Sequence, residues 1–276
     1  MTDTILPQTS APVSGARPPR RSLSRSALIA IVVVVLLIVG AGGFELMKSH
    51  STNPPPVAKP VGANKPATAP SLAALLSLVM GNAQEQRFVH ADVTLRSPKH
   101  PTLVYSDDDG VTGGVQHVTI AGGGSALVLV IGSTTFVTAN RVGLTKFFGL
   151  KPHQVTRVLG HWIRLVPGNP EYTSVTEGIT LASTLKEIAL TGKLTRLPER
   201  TLHGQRVFGI QGAVSGSGLE GGHATMWVTV GQHGLPVEFD AAGATTTESV
   251  TFSRWGRPVI AHAPAAGSLG SGTLSG

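Results

Sequence analysis

The run from Ala27 to Phe44, ALIAIVVVVLLIVGAGGF, holds 18 residues without a charge. A helix needs about 17–25 predominantly apolar residues to cross a bilayer, so this run is long enough. A buried core helix would carry a polar stripe, and this run has none. Arg17, Arg20, Arg21 and Arg25 lie just before it. Cations flanking a span mark the cytoplasmic side. The expectation is a single-pass protein of the plasma membrane, with a disordered cytoplasmic tail over residues 1–26 and a transmembrane helix over 27–47. The C-terminal part is then extracytoplasmic. Val39-Gly40-Ala41 has the small residues of a cleavage site and keeps a signal peptide open as the alternative, although the run exceeds the roughly 7–15 residues of a typical signal core. Both readings place the rest of the chain outside.

The chain has a net charge of +7, but the charge sits in the leader. Seven cations and two anions precede residue 70, leaving 15 cations and 13 anions for the remainder. A basic patch for nucleic acid is therefore not expected on the domain. There is no cysteine, which excludes disulfides, thiolate catalysis, cysteine-ligated metals and an acylated cysteine anchor. Charged residues are 13% of the chain, about half the usual share. With 34 Gly and 19 Pro, this composition suits strands and turns.

Residues 48–70 are Pro-rich and read as a semi-rigid linker, and residues 265–276 as a disordered tail. Between them, residues 71–264 read as one domain. Ser71 is a plausible N-cap before Leu72, Leu75, Leu76, Val79 and Met80, which recur at helical spacing. Alternation follows: Val89, Ala91, Val93 and Leu95 share one face of a strand, with His90, Asp92, Thr94 and Arg96 on the other. Val118 and Ile120 alternate likewise, and Gly122-Gly123-Gly124 is a turn. Residues 126–131 are apolar on both faces and pair with 134–139 across Gly132-Ser133. Helical pieces are expected over 141–150, 152–159 and 180–190, and strands over 161–166, 201–210, 223–230, 235–240, 246–253 and 258–262. The fold class is α+β with a large antiparallel sheet of about ten or eleven strands.

Three stretches carry a resemblance: Arg87 to Leu95 (RFVHADVTL), Gly160 to Pro167 (GHWIRLVP) and Val250 to Val259 (VTFSRWGRPV). Together with the order of elements they resemble the LolA-like lipoprotein-carrier fold, in particular the actinobacterial LppX/LprG-type envelope lipoproteins. The resemblance covers about residues 71–264. It implies a strongly curved antiparallel half-barrel with helices packed on its concave face and acyl chains of lipids or lipoproteins held between them. The lipoprotein members carry a lipid-modified cysteine; here a transmembrane helix takes that place.

Under this resemblance the candidates to line a lipid cavity are Val93, Leu95, Val118, Ile120, Leu127, Leu129 and Ile131 from the sheet, and Phe147, Phe148, Leu150 and Leu159 from the helices. Simple packing of the two sets on each other is the competing reading. No catalytic, cofactor or metal site is expected. Asp107-Asp108-Asp109-Gly110 lacks the alternation of a calcium loop and reads as a solvated turn. The histidines form no H-E-x-x-H pattern. Gly212 to Gly222 precedes a strand, unlike a phosphate loop, and reads as a hairpin loop. Trp162, Trp227 and Trp255 read as sheet-face packing, and Arg164, Arg254 and Arg257 as solvated strand ends. The expected function is non-enzymatic binding of acyl chains, with the membrane and an envelope protein as further partners. A sensing or protein-interaction ectodomain without bound lipid is the alternative.

Overall fold

The structure, a computed structural model, describes residues 70–98, 100–176, 178–214, 219, 221–231, 233–270 and 274. The expected tail, span and most of the linker lie outside these residues. Among the described residues no helix is long and apolar enough to cross a membrane.

Ser71 caps helix α1 (Leu72–Glu85) as its pattern predicts, its side chain accepting from the Ala74 N–H at 3.2 Å. The apolar stripe buries Leu76, Val79 and Ala83. Eleven strands follow in one antiparallel sheet: β1 (Phe88–Ser97), β2 (His100–Gly110), β3 (Gly113–Ile120), β4 (Gly124–Ile131), β5 (Thr134–Ala139), β6 (Ile163–Leu165), β7 (Thr191–Leu202), β8 (Gln205–Ala213), β9 (His223–Thr229), β10 (Pro236–Ala242) and β11 (Thr247–Ser253). Their order is β6-β5-β4-β3-β2-β1-β11-β10-β9-β8-β7. Two meanders thus meet in the middle, where β1 pairs with β11.

This topology dictates where the helices go. Strand β6 lies at one edge and β7 at the other, so the connection between them must cross the whole sheet. It does so through α3 (Tyr172–Thr176) and α4 (Leu181–Glu187). A π-helical turn (Gly143–Phe147) and α2 (Pro152–Val158) cover the same face between β5 and β6. The crossing segment touches the sheet through its backbone: Gly110 bridges Thr180, and a Cβ on Gly114 would come within 2.7 Å of the Ile179 carbonyl oxygen. Only glycine permits that approach.

The structure differs from the sequence reading at four places. The Asp107–Gly110 segment is no turn; it is the end of β2. Strand β7 precedes the expected 201–210 strand, and His203-Gly204 is the turn between β7 and β8. Residues 258–262 form no strand. The stretch 265–270, read as disordered, is drawn back onto Trp162: the Trp162 N–H donates to the Ser268 carbonyl at 2.9 Å, and the Gly270 N–H donates to the Trp162 carbonyl at 2.8 Å.

Candidate functional site

Because strand side chains alternate, register alone assigns every residue to a face. Val93 lies opposite Tyr105, Tyr105 opposite Val118, and Val118 opposite Ala126. The helix-covered face therefore continues from Val93 and Leu95 through Val118 and Ile120 to Ala126, Val128 and Val130. Leu127, Leu129 and Ile131 fall on the opposite face, where Leu129 lies opposite Phe136. These three of the sheet candidates are therefore misplaced by one residue. Both faces of β4 are apolar, so its own sequence does not reveal which one meets the helices.

Three apolar clusters occupy the helix-covered face. The first joins α1 and α4, through Leu76, Val79, Leu181, Leu185 and Ile188, to Phe208, Met226, Phe239 and Phe252; Val93 is partly buried against it. The second joins Leu150, Val155 and Val158 to Val128, Val130, Val137 and Ile163, with Leu159 at its margin. Between them, Phe147 packs with Leu103, Val118, Ile120 and Ala126, and Leu95, Tyr105 and Phe148 adjoin. Phe147 and Phe148 meet edge to face at 4.9 Å. Of the helix candidates, Phe147 and Phe148 pack with the sheet candidates Leu95, Val118 and Ile120, whereas Leu150 and Leu159 pack with Val128, Val130 and Val137.

The cover is incomplete at the centre. On β1, Val89 and Ala91 are 1% exposed. Further along the same face of the same strand, Val93 and Leu95 are only half-buried, as is their neighbour Tyr105. Val93, Leu95 and Tyr105 therefore form a partly exposed apolar patch on the central strands.

Beside this patch runs a seam of carboxyls. Asp107 and Asp109 share the face of Leu103 and Tyr105, and they are 5% and 0% exposed. Glu248 on β11 lies opposite Leu95 and is also buried. Burial pushes the carboxyl of Asp109 up to about 7; Asp108 adds to this, and the Thr184 hydroxyl opposes it. Burial likewise pushes Glu248 to about 7. Asp107 is raised by burial first and then by Asp109, against a hydrogen bond from Gln116 Nε2 at 3.4 Å. The Tyr105 phenol is raised by burial, then by Asp107, Glu248 and Glu187. The cause in every case is the loss of water around a group that would carry charge. Thr184 of α4 reaches Asp109 Oδ2 at 2.5 Å. Among the described residues no group of three or more His, Asp or Glu side chains is arranged to hold a metal ion.

The seam is what the sequence reading misses. Its signal is parity: residues 103, 105, 107 and 109 are alternate positions of one strand.

The tryptophans part company. Trp227 packs on the far face with Val207 and Val237, under the Arg200 guanidinium at 3.4 Å. Trp255 donates through Nε1 to the Pro236 carbonyl at 3.0 Å. Arg254, at a strand end, donates to Asp108 Oδ1 at 3.1 Å.

No family model matches this chain, and no curated protein does. Solved structures do. One is the lipoprotein LppX of Mycobacterium tuberculosis, 15% identical, matched over 69% of this chain and 99% of that one at a TM-score of 0.43. Another is LprF from Mycobacterium bovis, 11% identical, over 69% of this chain and 97% of that one at 0.44. A LolA superfamily protein from Nitrosomonas europaea is 11% identical, over 70% of this chain and 96% of that one at 0.25. At these scores the functional reading stands on the chain's own residues.

Proposed function

We propose that this chain is a membrane-tethered, extracytoplasmic, non-enzymatic protein of the cell envelope that binds acyl chains on the helix-covered face of its sheet. The observation that carries the reading is the partial exposure of Val93, Leu95 and Tyr105 on the helix-covered face. Central strands of a large sheet are where a complete cover would bury side chains most fully, as it does at Val89 and Ala91. Leaving aliphatic side chains partly exposed there costs roughly 25 cal/mol for each Å2 of apolar surface left in water. A bound acyl chain recovers that energy. Phe148, partly buried beside Leu95 and Tyr105, extends the apolar surface. The uncharged run at 27–44, with its preceding arginines, supports the tether and the orientation.

The test is native mass spectrometry of the full chain, purified in detergent from its own host's envelope. The reading expects a co-purifying lipid of defined mass that is lost on solvent extraction. A clean apo mass that takes up neither phospholipid nor glycolipid would contradict it, and would favour a face that docks protein.

A further inference from the structure

After its last strand the chain returns to its own sheet. A 3-10 turn (Ala266–Ser268) redirects it, with the Ser268 N–H donating to the Ala265 carbonyl at 2.9 Å and the Ser268 hydroxyl donating to the same oxygen at 2.6 Å. Leu269 then forms a parallel bridge with Trp162, the residue just before β6. Strand β6 is an edge of the sheet, so this bridge covers backbone groups beside an edge. Gly270 lets the two segments approach closely: a Cβ there would lie 3.0 Å from the Cβ of His161.

Four residues further on, Leu274 is 3% exposed. It packs in the second apolar cluster, with Leu150, Val155 and Val158 of the cover and Val128, Val130 and Ile163 of the sheet. Leu159 adjoins the same cluster. A leucine from outside the sheet and its covering helices thus occupies apolar space between the two.

Its hold is slight. Residues 267–276 read GSLGSGTLSG, with Leu269 and Leu274 as the only large apolar side chains. Four glycines and three serines make this backbone costly to order. Among the described residues, the main-chain hydrogen bonds that tie it to the rest of the chain are the two to Trp162. An apolar chain arriving from elsewhere has only to match one leucine to take its place.

We infer that the C-terminal segment is a built-in competitor: Leu274 fills apolar space between α2 and the sheet, and the segment and a bound acyl chain exclude one another there. The ligand comes from the acyl-binding reading above; the exclusion comes from the bridge at Trp162 and the burial of Leu274. With the segment seated, an acyl chain is confined to the patch at Val93, Leu95 and Tyr105. With the segment displaced, it extends to Leu150 and Leu159.

The test treats the full chain, in detergent, with a phosphatidylcholine carrying a diazirine in one acyl chain, and maps the adducts by peptide mass spectrometry. Leu274→Asp should raise labelling of residues 150–159 by about tenfold or more, because it removes the burial of one leucine. Leu274→Met keeps an apolar side chain and should leave labelling at the wild-type level. Wild-type molecules labelled at 150–159 should exchange the Trp162 and Gly270 amides faster than unlabelled ones. Protection kept in the labelled molecules would overturn the competition, whether or not Leu274→Asp folds. So would equal labelling of 150–159 in wild type and Leu274→Asp. Label at Val93, Leu95 and Phe148 but never at 150–159 in any form would overturn it too, and would leave acyl binding standing. No label on the helix-covered face in any form would remove both.

Discussion

Strand β2 has two faces, and consecutive aspartates fall on both. Asp108 points away from the helices. It lies 2.7 Å from His90 Nδ1 and 3.1 Å from Arg254 Nη2, within reach of water. Asp107 and Asp109, one residue to either side, point under α4 and are buried. The residue type is constant and the sequence neighbourhood is shared, so the difference is environment alone. On one face the carboxylate has an arginine, a histidine and solvent; on the other it has apolar neighbours and further acids. A period of two along the chain thus decides which aspartate is paired at the surface and which is buried among apolar neighbours and further acids.

The largest effect expected from confusing the faces is at β4. Val128→Asp would put an unpaired carboxylate into the second apolar cluster, where Val128 is 1% exposed. A loss of about 3 kcal/mol or more, or failure to fold, is expected in denaturant unfolding. Leu127→Asp, one residue earlier on the far face and half-buried, should cost much less. If the two losses are equal, the assignment of faces is wrong.

The second effect is a pH dependence. Asp109 and Glu248 are raised in the folded protein above their ordinary values of 3.8 and 4.5, each to about 7. The folded state therefore holds protons that the unfolded state releases. Stability is greatest below about pH 4 as far as these groups are concerned, and declines as pH rises toward 7. Asp109→Asn keeps the shape without the charge, and should raise stability at pH 8 by about 1–3 kcal/mol while changing little at pH 4. Thermal unfolding across that range measures it; a variant less stable than wild type at pH 8 would show that the ionised form is the stabilising one. Glu248→Gln should shift the curve in the same direction by a smaller amount, because Glu248 rises to about 7 from 4.5 and Asp109 from 3.8.

The smallest effect belongs to the solvated face. Asp108→Asn should cost about 0.2–1 kcal/mol, less in high salt, as is usual for exposed ion pairs. A salt-independent loss of several kcal/mol would mean that Asp108 is not the ordinary member of the three.

Where a face is buried and its partner wet, the sequence is legible. Helix α1 and strand β1 can be read directly, because Ser71 caps the one and valine, alanine and leucine alternate in the other. Strand β2 is hidden by its own chemistry. Aspartate is a poor strand former, and three in a row before glycine suggest a turn. Strand β7 is hidden for the opposite reason. As an edge strand largely exposed along its length, with Lys193, Arg196, Pro198, Glu199 and Arg200 in succession, it has no buried side to impose alternation. Strand β4 is apolar on both sides, so its existence is evident while its parity is not; pairing of Val118 with Ala126 decides it. The candidate site was therefore half legible. Val118, Ile120 and Phe147 pack together, as either reading of them expects, whereas the carboxyl seam needs a strand assignment that the local sequence argues against.

Photocrosslinking with a phospholipid carrying a diazirine in its acyl chain tests the acyl-binding reading most directly. Incubated with the full chain and mapped by peptide mass spectrometry, the label should fall on Val93, Leu95, Tyr105 and Phe148 and should be competed away by unlabelled lipid. Labelling confined to Leu127, Leu129 and Ile131 on the far face, or none above background, would contradict the binding of acyl chains beneath the helices.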